Sequence, residues 1–258
     1  MLVLAVESAT NAAGVALADE DGVIVHATLS RGRRHAETIA PAIDYCCTTA
    51  GIVLAQVDAL VVDVGPGLFT GLRVGVGTAK ALAYALARPV VALPSLDVLA
   101  RAATVAPGAA RADVDSQDIS RVRIVPVLDA RRGEVVSAEF RDPGGSASGL
   151  ERSGAEQLQT PEALAERLAE RAQSDDLDLV LVGDGAIRYE AILRAVPKVR
   201  FAADWLASPP VAVLATMGVE SAIRGEFQDP LGLSPRYVRQ ADARINWEKR
   251  APRQVAGI

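Results

Sequence analysis

Apolar and polar residues follow two rhythms along this chain, and the switches between them predict its elements. Leu2–Val6 is a short apolar run, Ala13–Ala18 alternates weakly, and Val23–Leu29 is a third run of the same kind, so three strands open the chain. Asp19-Glu20-Asp21-Gly22 carries the Asp-Gly hairpin signal, and Glu7-Ser8-Ala9-Thr10-Asn11 is a polar turn. Ala36, Ile39, Ala40, Ile43, Cys46/Cys47 and Ala50 recur at helical spacing. They predict a helix over 36–50, closed by Gly51, in which Pro41 implies a kink or a late start. Residues 59–64 read as a buried strand, followed by a glycine turn and a helix from about Leu68 to Leu86. Pro89–Leu93 is a strand, and Ser95–Ala103 a helix with Ser95 as N-cap.

Residues 106–121 have no period and read as a loop at a domain boundary. Val122–Asp129 and Glu134–Phe140 are predicted strands around Ala130-Arg131-Arg132-Gly133, and 143–149 is a glycine- and serine-rich turn. Thr160 caps a helix over Pro161–Gln173. Leu177–Val182 is a strand ending at Gly183-Asp184-Gly185-Ala186, with a helix following to Val196 and a last long helix over Pro210–Arg224. This order predicts an α/β protein of two halves, 1–104 and 105–258, with the helix near 210–224 packing back on the first.

The helix after the glycine turn is unlike a surface helix. Every fourth residue is small: Gly67, Gly71, Gly75, Ala79, Ala83 and Ala87. The other faces carry Leu72, Val74, Val76, Thr78, Leu82 and Leu86, and only Arg73, Lys80 and Arg88 bring charge. A helix apolar nearly all round needs cover on more than one side. Its own sheet provides one cover, and the small stripe reads as the place where a partner's backbone comes close.

Composition narrows the function classes. The 258 residues, half of them hydrophobic, allow one large domain or two ordinary ones, and 4% aromatics imply an aliphatic core. A net charge of −5 argues against a free-standing nucleic-acid binder. No run of 18 apolar residues predicts a spanning helix, and the opening Met1–Glu7 lacks the basic start of a signal peptide. Cys46 and Cys47 are adjacent, with no metal spacing, which favours a reduced chain in the cytoplasm.

Candidate chemistry is sparse. Gly65-Pro66-Gly67-Leu68-Phe69-Thr70-Gly71 lacks the Lys-Ser/Thr ending of a phosphate loop and misses Gly-x-Gly-x-x-Gly by one residue. It reads either as a tight strand–helix turn or as a helix N-terminus offering free N–H groups, through Gly67 and Thr70, to a phosphate. Glu7, Ser8 and Thr10 are ordinary turn residues or donors that face Gly183-Asp184-Gly185-Ala186 across a cleft, with Glu7 the carboxylate placed for a metal. His35 has Ile39, not a second ligand, four residues on, and His26 lies on a strand, so no metal site is expected. Arg31, Arg33 and Arg34 form a solvated loop or a contact to an acidic partner or phosphate.

Several stretches together resemble one family: Val6-Glu7-Ser8-Ala9-Thr10, His35 before a proline-containing helix, Gly65-Pro66-Gly67-Leu68-Phe69-Thr70-Gly71-Leu72-Arg73-Val74-Gly75, Ala130-Arg131-Arg132-Gly133-Glu134-Val135, and Pro235-Arg236-Tyr237-Val238-Arg239. In order and over most of the chain they resemble the TsaB (YeaZ) family, which takes part in making threonylcarbamoyladenosine on tRNA. The resemblance implies a two-lobed actin/hexokinase-like (ASKHA, ribonuclease H-like) fold with mixed sheets flanked by helices. It implies a non-catalytic scaffold that binds and activates the transferase TsaD, helps recruit the ATPase TsaE, and meets tRNA only within that complex. The family pairs through the helices placed here at 36–50 and 68–87. The implied contact residues are His35, Ile39, Ile43, Cys46, Gly71, Leu72, Gly75, Val76, Ala79 and Ala83, and whether the chain alone is a monomer or a homodimer through the same helices stays open. The family's first turn reads Asp-Thr-Ser-Thr where this chain has Glu-Ser-Ala-Thr, which weakens a case for nucleotide hydrolysis. No intrinsic cofactor is expected, only a nucleotide shared at the partner interface. The competing classes are a stand-alone ATPase or kinase, a glycoprotease-like peptidase, and a homodimeric binding module.

Overall fold

The computed structural model describes residues 1–30, 35–105, 121–142 and 149–238. The chain opens with the meander β1 (Val3–Glu7), β2 (Ala13–Asp19) and β3 (Gly22–Leu29), then α1 (His35–Ala50), β4 (Ala59–Asp63), α2 (Phe69–Leu86), β5 (Val90–Leu93) and α3 (Ser95–Val105). These strands form one sheet in the order β3-β2-β1-β4-β5. The meander pairs antiparallel, and β1–β4 and β4–β5 pair parallel.

The second half runs β6 (Val122–Arg131), β7 (Glu134–Ser137), β8 (Phe140–Arg141), β9 (Glu151–Arg152), β10 (Gln157–Gln159), α4 (Pro161–Ser174), β11 (Asp178–Val182), α5 (Asp184–Arg188), α6 (Glu190–Leu193) and β12 (Val199–Phe201). Its main path is β10-β7-β6-β11-β12, with β6–β7 and β7–β10 antiparallel and β6–β11 and β11–β12 parallel. The second sheet thus repeats the order of the first. This repeat is the two-lobed, mixed-sheet actin/hexokinase-like fold. A short 3-10 turn at Asp204–Ala207 leads to α7 (Val211–Ile223), which returns to pack on β1, β2 and β3.

The layers follow from strand alternation. Leu4 and Val6 of β1 point into a core closed by Ile39, Ile43 and Cys46 of α1 and by Val76, Ala79 and Ala83 of α2. Val3 and Ala5 point the other way, against Leu214, Ala215 and Val219 of α7. α3 is shared between the lobes: Val98 joins that second core, while Leu96, Leu99 and Ala103 pack on Ile124, Val136 and Phe140 of the second sheet. The far face of the second sheet is covered by Leu164 and Leu168 of α4.

Some boundaries differ from the sequence reading. α1 runs unbroken from His35 through Pro41, so the late start is not taken. The strand expected over 134–140 is two: β7 and β8 both pair with β6, separated at Ala138-Glu139, where Glu139 O accepts Ser153 N. The helix expected after Gly183 breaks at Tyr189 into α5 and α6. Ser95 is the first residue of α3, and its hydroxyl donates to Asp63 rather than capping the helix. Thr160 does cap α4, accepting from Ala163 N. The basic loop 31–34 and almost all of the predicted boundary loop 106–121 lie outside the described residues, as do the turn at 143–148 and the chain from 239 on.

Candidate functional site

The first turn and the glycine turn leave the sheet side by side, at the carboxyl ends of β1 and β4. They bond to each other. Leu68 N donates to Ala9 O at 2.6 Å, and Ser8 Oγ donates to Gly71 O at 2.9 Å. Thr10 Oγ1 accepts from Ala12 N and donates to Ser208 Oγ at 2.8 Å. Glu7 Oε1 accepts from Ala9 N at 2.8 Å. Of the five residues expected to meet a nucleotide or phosphate, Glu7, Ser8 and Thr10 are therefore buried turn-formers, not donors held open to a ligand. Gly67 and Thr70 do face outward.

A second carboxylate, missed in the sequence, lies beside Glu7. Val6 pairs with Val62, so the next rung sets Glu7 of β1 against Asp63 of β4. Asp63 Oδ1 accepts from Ser95 Oγ at 2.6 Å and from Gly65 N at 2.7 Å, while Oδ2 has no partner. Burial pushes Asp63 up to about 7, against the pull of those two bonds. Burial pushes Glu7 well up as well, and the neighbouring Asp63 charge adds to it. An acidic residue inside the run Ala-Leu-Val-Val-Asp-Val was the available signal.

The small-residue stripe of α2 turns inward. A Cβ on Gly67 would fall 2.1 Å from Ala9 O, one on Gly71 2.0 Å from Ser8 O, and one on Gly75 2.2 Å from Ser8 Oγ. The stripe lets the helix approach its own first turn. A step of four residues also advances about 40° beyond a full turn, so the stripe drifts outward and ends at exposed Ala87.

The expected contact residues also lie inside this chain's own fold. Ile39, Ile43, Cys46, Leu72, Val76, Ala79 and Ala83 fill the first lobe's own core, and Gly71 and Gly75 lie under the first turn. His35 is buried, its Nε2 2.8 Å from Thr10 O; a carbonyl only accepts, so Nε2 carries the proton. It fastens α1 to the first turn.

What these two helices present outward is a different set. On α1, Ala40, Pro41, Asp44 and Tyr45 are exposed; on α2, Arg73, Gly77, Ala81, Tyr84 and Ala85 are, with Tyr84 82% accessible. Gly77, Ala81 and Ala85 form a second four-residue ladder. The segment 229–238 crosses α2 as a strap. Lys80 Nζ donates to Leu231 O and Leu233 O at 3.1 and 3.0 Å, and Leu233 is buried in the first lobe's core. Arg236 N donates to Val64 O, the Tyr237 ring meets Phe69 at 4.9 Å, and Arg73 lies 4.0 Å over Phe69. Strap and helix leave a groove of about 900 Å³ lined by Gly77, Ala81, Tyr84, Ala87 and Leu231.

The second lobe's corresponding corner is ion-paired. Asp129, near the end of β6, accepts from Arg131 N and Arg131 Nη1, both at 2.9 Å, and lies 3.4 Å from Arg188 Nη1. Asp184 Oδ1 accepts Asp129 N at 2.9 Å, and burial pushes its carboxyl up to about 6. The Gly183-Asp184-Gly185-Ala186 turn packs on Val127 and Leu128 of β6 and on Leu99 of α3 instead of looking across an open cleft. Among the described residues, no three His, Cys, Asp or Glu side chains come together as a metal site. No helix among them is long and apolar enough to cross a membrane.

Comparison with known proteins agrees with this geometry. The family model described as "TsaD: tRNA N6-adenosine threonylcarbamoyltransferase" matches residues 22–247. The chain is 35% identical over 169 residues to the tRNA threonylcarbamoyladenosine biosynthesis protein TsaB of Escherichia coli, covering 65% of this chain and 66% of that protein. It is 28% identical to the TsaB protein of Bacillus subtilis over 96% of this chain and 98% of the other. Among solved structures, YeaZ from Pseudomonas aeruginosa superposes with a TM-score of 0.73 at 29% identity, over 92% of this chain and 99% of that one.

Proposed function

We propose a scaffold role for this chain, starting from the fact that it belongs to the TsaB (YeaZ) group of the TsaD family and takes part in tRNA threonylcarbamoyladenosine biosynthesis. On this reading the chain performs no chemistry itself. It docks TsaD in its active form, helps recruit TsaE, and meets tRNA only within that assembly, in the cytoplasm. The observation that carries the reading is the pairing of a sealed inner site with an open outer face. The turns that would grip a nucleotide bond to each other, and Glu7 and Asp63 are closed off beneath them.

Beside the strap, by contrast, the outer faces of α1 and α2 carry exposed residues among the described ones. The ladder Gly77, Ala81 and Ala85 permits close approach of a helix, with Tyr45 and Tyr84 as aromatic anchors beside it. The docking surface is thus this outer set and not the buried residues named from the sequence.

Ala81→Arg and Tyr84→Ala test it. Both sites are exposed, so thermal stability stays within about 0.5 kcal/mol of the parent, while a pull-down with TsaD loses the complex for Ala81→Arg and weakens it for Tyr84→Ala. Undiminished capture of TsaD by Ala81→Arg overturns the assignment. Size-exclusion of the chain alone, with and without that substitution, shows whether a second copy uses the same face. The isolated chain binds no nucleotide on this reading, so calorimetric titration with ATP and magnesium is flat. Saturable heat abolished by Thr70→Val points instead to a nucleotide at the helix N-terminus.

A further inference from the structure

Continuing the register of Val6 with Val62 sets Glu7 opposite Asp63 at the ends of two parallel strands, both at most 1% exposed. Side chains in register on parallel strands point to the same face, so the two groups share one pocket. Among the described residues, no cation contacts either carboxylate. Glu7 is satisfied by the N–H groups of Ala9 and Thr10, and Asp63 Oδ1 by Ser95 and the Gly65 N–H. That leaves Asp63 Oδ2 buried with no donor among the described residues. Two adjacent anions in a low-dielectric pocket repel strongly, and an unpaired buried carboxylate oxygen is costly. One proton placed between the groups removes both problems.

We propose that Glu7 and Asp63 hold one proton between them as a latch that seats the first turn and the glycine turn under α2, and that losing this proton loosens the seat.

The mechanical connection is short on both sides. Glu7 fixes Ala9 N, whose own carbonyl holds Leu68 N, and the neighbouring Ser8 hydroxyl holds Gly71 O. Asp63 fixes Gly65 N at the start of the glycine turn and Ser95 at the start of α3. A second negative charge would push apart the two strand ends from which both turns spring. The other charged groups facing the pair are few. Asp97 of α3 adds negative potential at Asp63 and is itself engaged by Arg152, with Arg236 of the strap nearby. His35 of α1 reaches the first turn through Thr10 O. α2 presents uncharged groups to this corner, its Ser8-facing glycines and the Leu72 side chain against Gly65.

The sign of the pH effect follows from linkage. Both carboxyls hold protons more tightly folded than unfolded, so their contribution is full below the ordinary carboxylate range and is lost as pH rises through about 7 for Asp63. The experiment measures thermal midpoints and amide exchange at about pH 6 and about pH 8.5 for the parent, Asp63→Asn and Glu7→Gln. Asp184, pushed up to about 6, titrates in the lower part of this interval in the parent and both variants alike, so its share cancels when their slopes are compared. The parent is expected to lose several degrees across the interval and to exchange Ala9, Gly65 and the first turn of α2 faster at the higher pH, beyond the intrinsic base-catalysed change. Asp63→Asn, which keeps the acceptor for Ser95 and places an amide donor toward Glu7, is expected to lose less than half as much and to retain that protection. If Asp63→Asn is too unstable to compare, Glu7→Gln carries the same expectation. A parent and variants with equal pH slopes overturn the latch, as does exchange at Ala9 and Gly65 that tracks intrinsic chemistry alone.

Discussion

The two lobes share a strand order, yet the same corner of each does opposite things. In both, the first strand ends at or just past a carboxylate, Glu7 in one and Asp129 in the other, and a second acid stands at or just beyond the end of the fourth, Asp63 and Asp184. In the first lobe the fourth strand leads through a glycine turn to an 18-residue helix, and the pair is buried with no cation beside it among the described residues. In the second it leads to a five-residue helix, and the partly exposed Arg131 and Arg188 reach in to the buried Asp129 carboxylate. Topology therefore sets where charged residues gather, while the length and packing of the next helix decide whether counter-charges reach them. The lobe with the long helix gains an exposed outer helix face; the other gains an ion-paired turn.

The largest expected effect breaks the first lobe's side of this contrast. Gly71→Ala drives a methyl group into Ser8 O, and overpacking against backbone should cost about 3 kcal/mol in chemical denaturation. A variant as stable as the parent would show that the helix is not pinned to the turn. Next comes the second lobe. Asp129→Asn leaves two arginines without their anion; because both are partly exposed, the cost is about 1–2 kcal/mol, and the loss should shrink in high salt. Tyr237→Ala removes the ring on Phe69 and a partner of Arg73, at about 1 kcal/mol, with faster exchange in the strap as the local readout. The smallest effect is of opposite sign. Gly77 has open space where a Cβ would sit, so Gly77→Ala should stabilise α2 by about 0.5–1 kcal/mol. Gly71→Ala and Gly77→Ala, both glycine to alanine six residues apart on one helix, thus separate the inward ladder from the outward one.

Much of this fold was legible in the chain. The Asp-Gly hairpin, the β-branched runs of both sheets and the Thr160 cap depend on a few neighbouring residues, and each formed where local chemistry placed it. The α2 helix was legible in extent and in needing cover on several sides. Which of its faces met which neighbour was not. Small residues recur every fourth position on two stripes of that helix, Gly67-Gly71-Gly75 and Gly77-Ala81-Ala85, and spacing alone cannot orient them. The sequence also offered Glu7 as a lone acid, because its neighbour Asp63 is 56 residues away and joins it only through parallel pairing.

By itself, then, the sequence determined the elements, their order and the motifs that place the chain in its family, since these depend on local propensity and spacing. Only the tertiary structure decided that the glycine ladder serves the chain's own first turn, that the residues taken for partner contacts are core, and that two acids share one pocket. Those outcomes depend on strand register and helix rotation, which bring together residues the linear chain keeps apart.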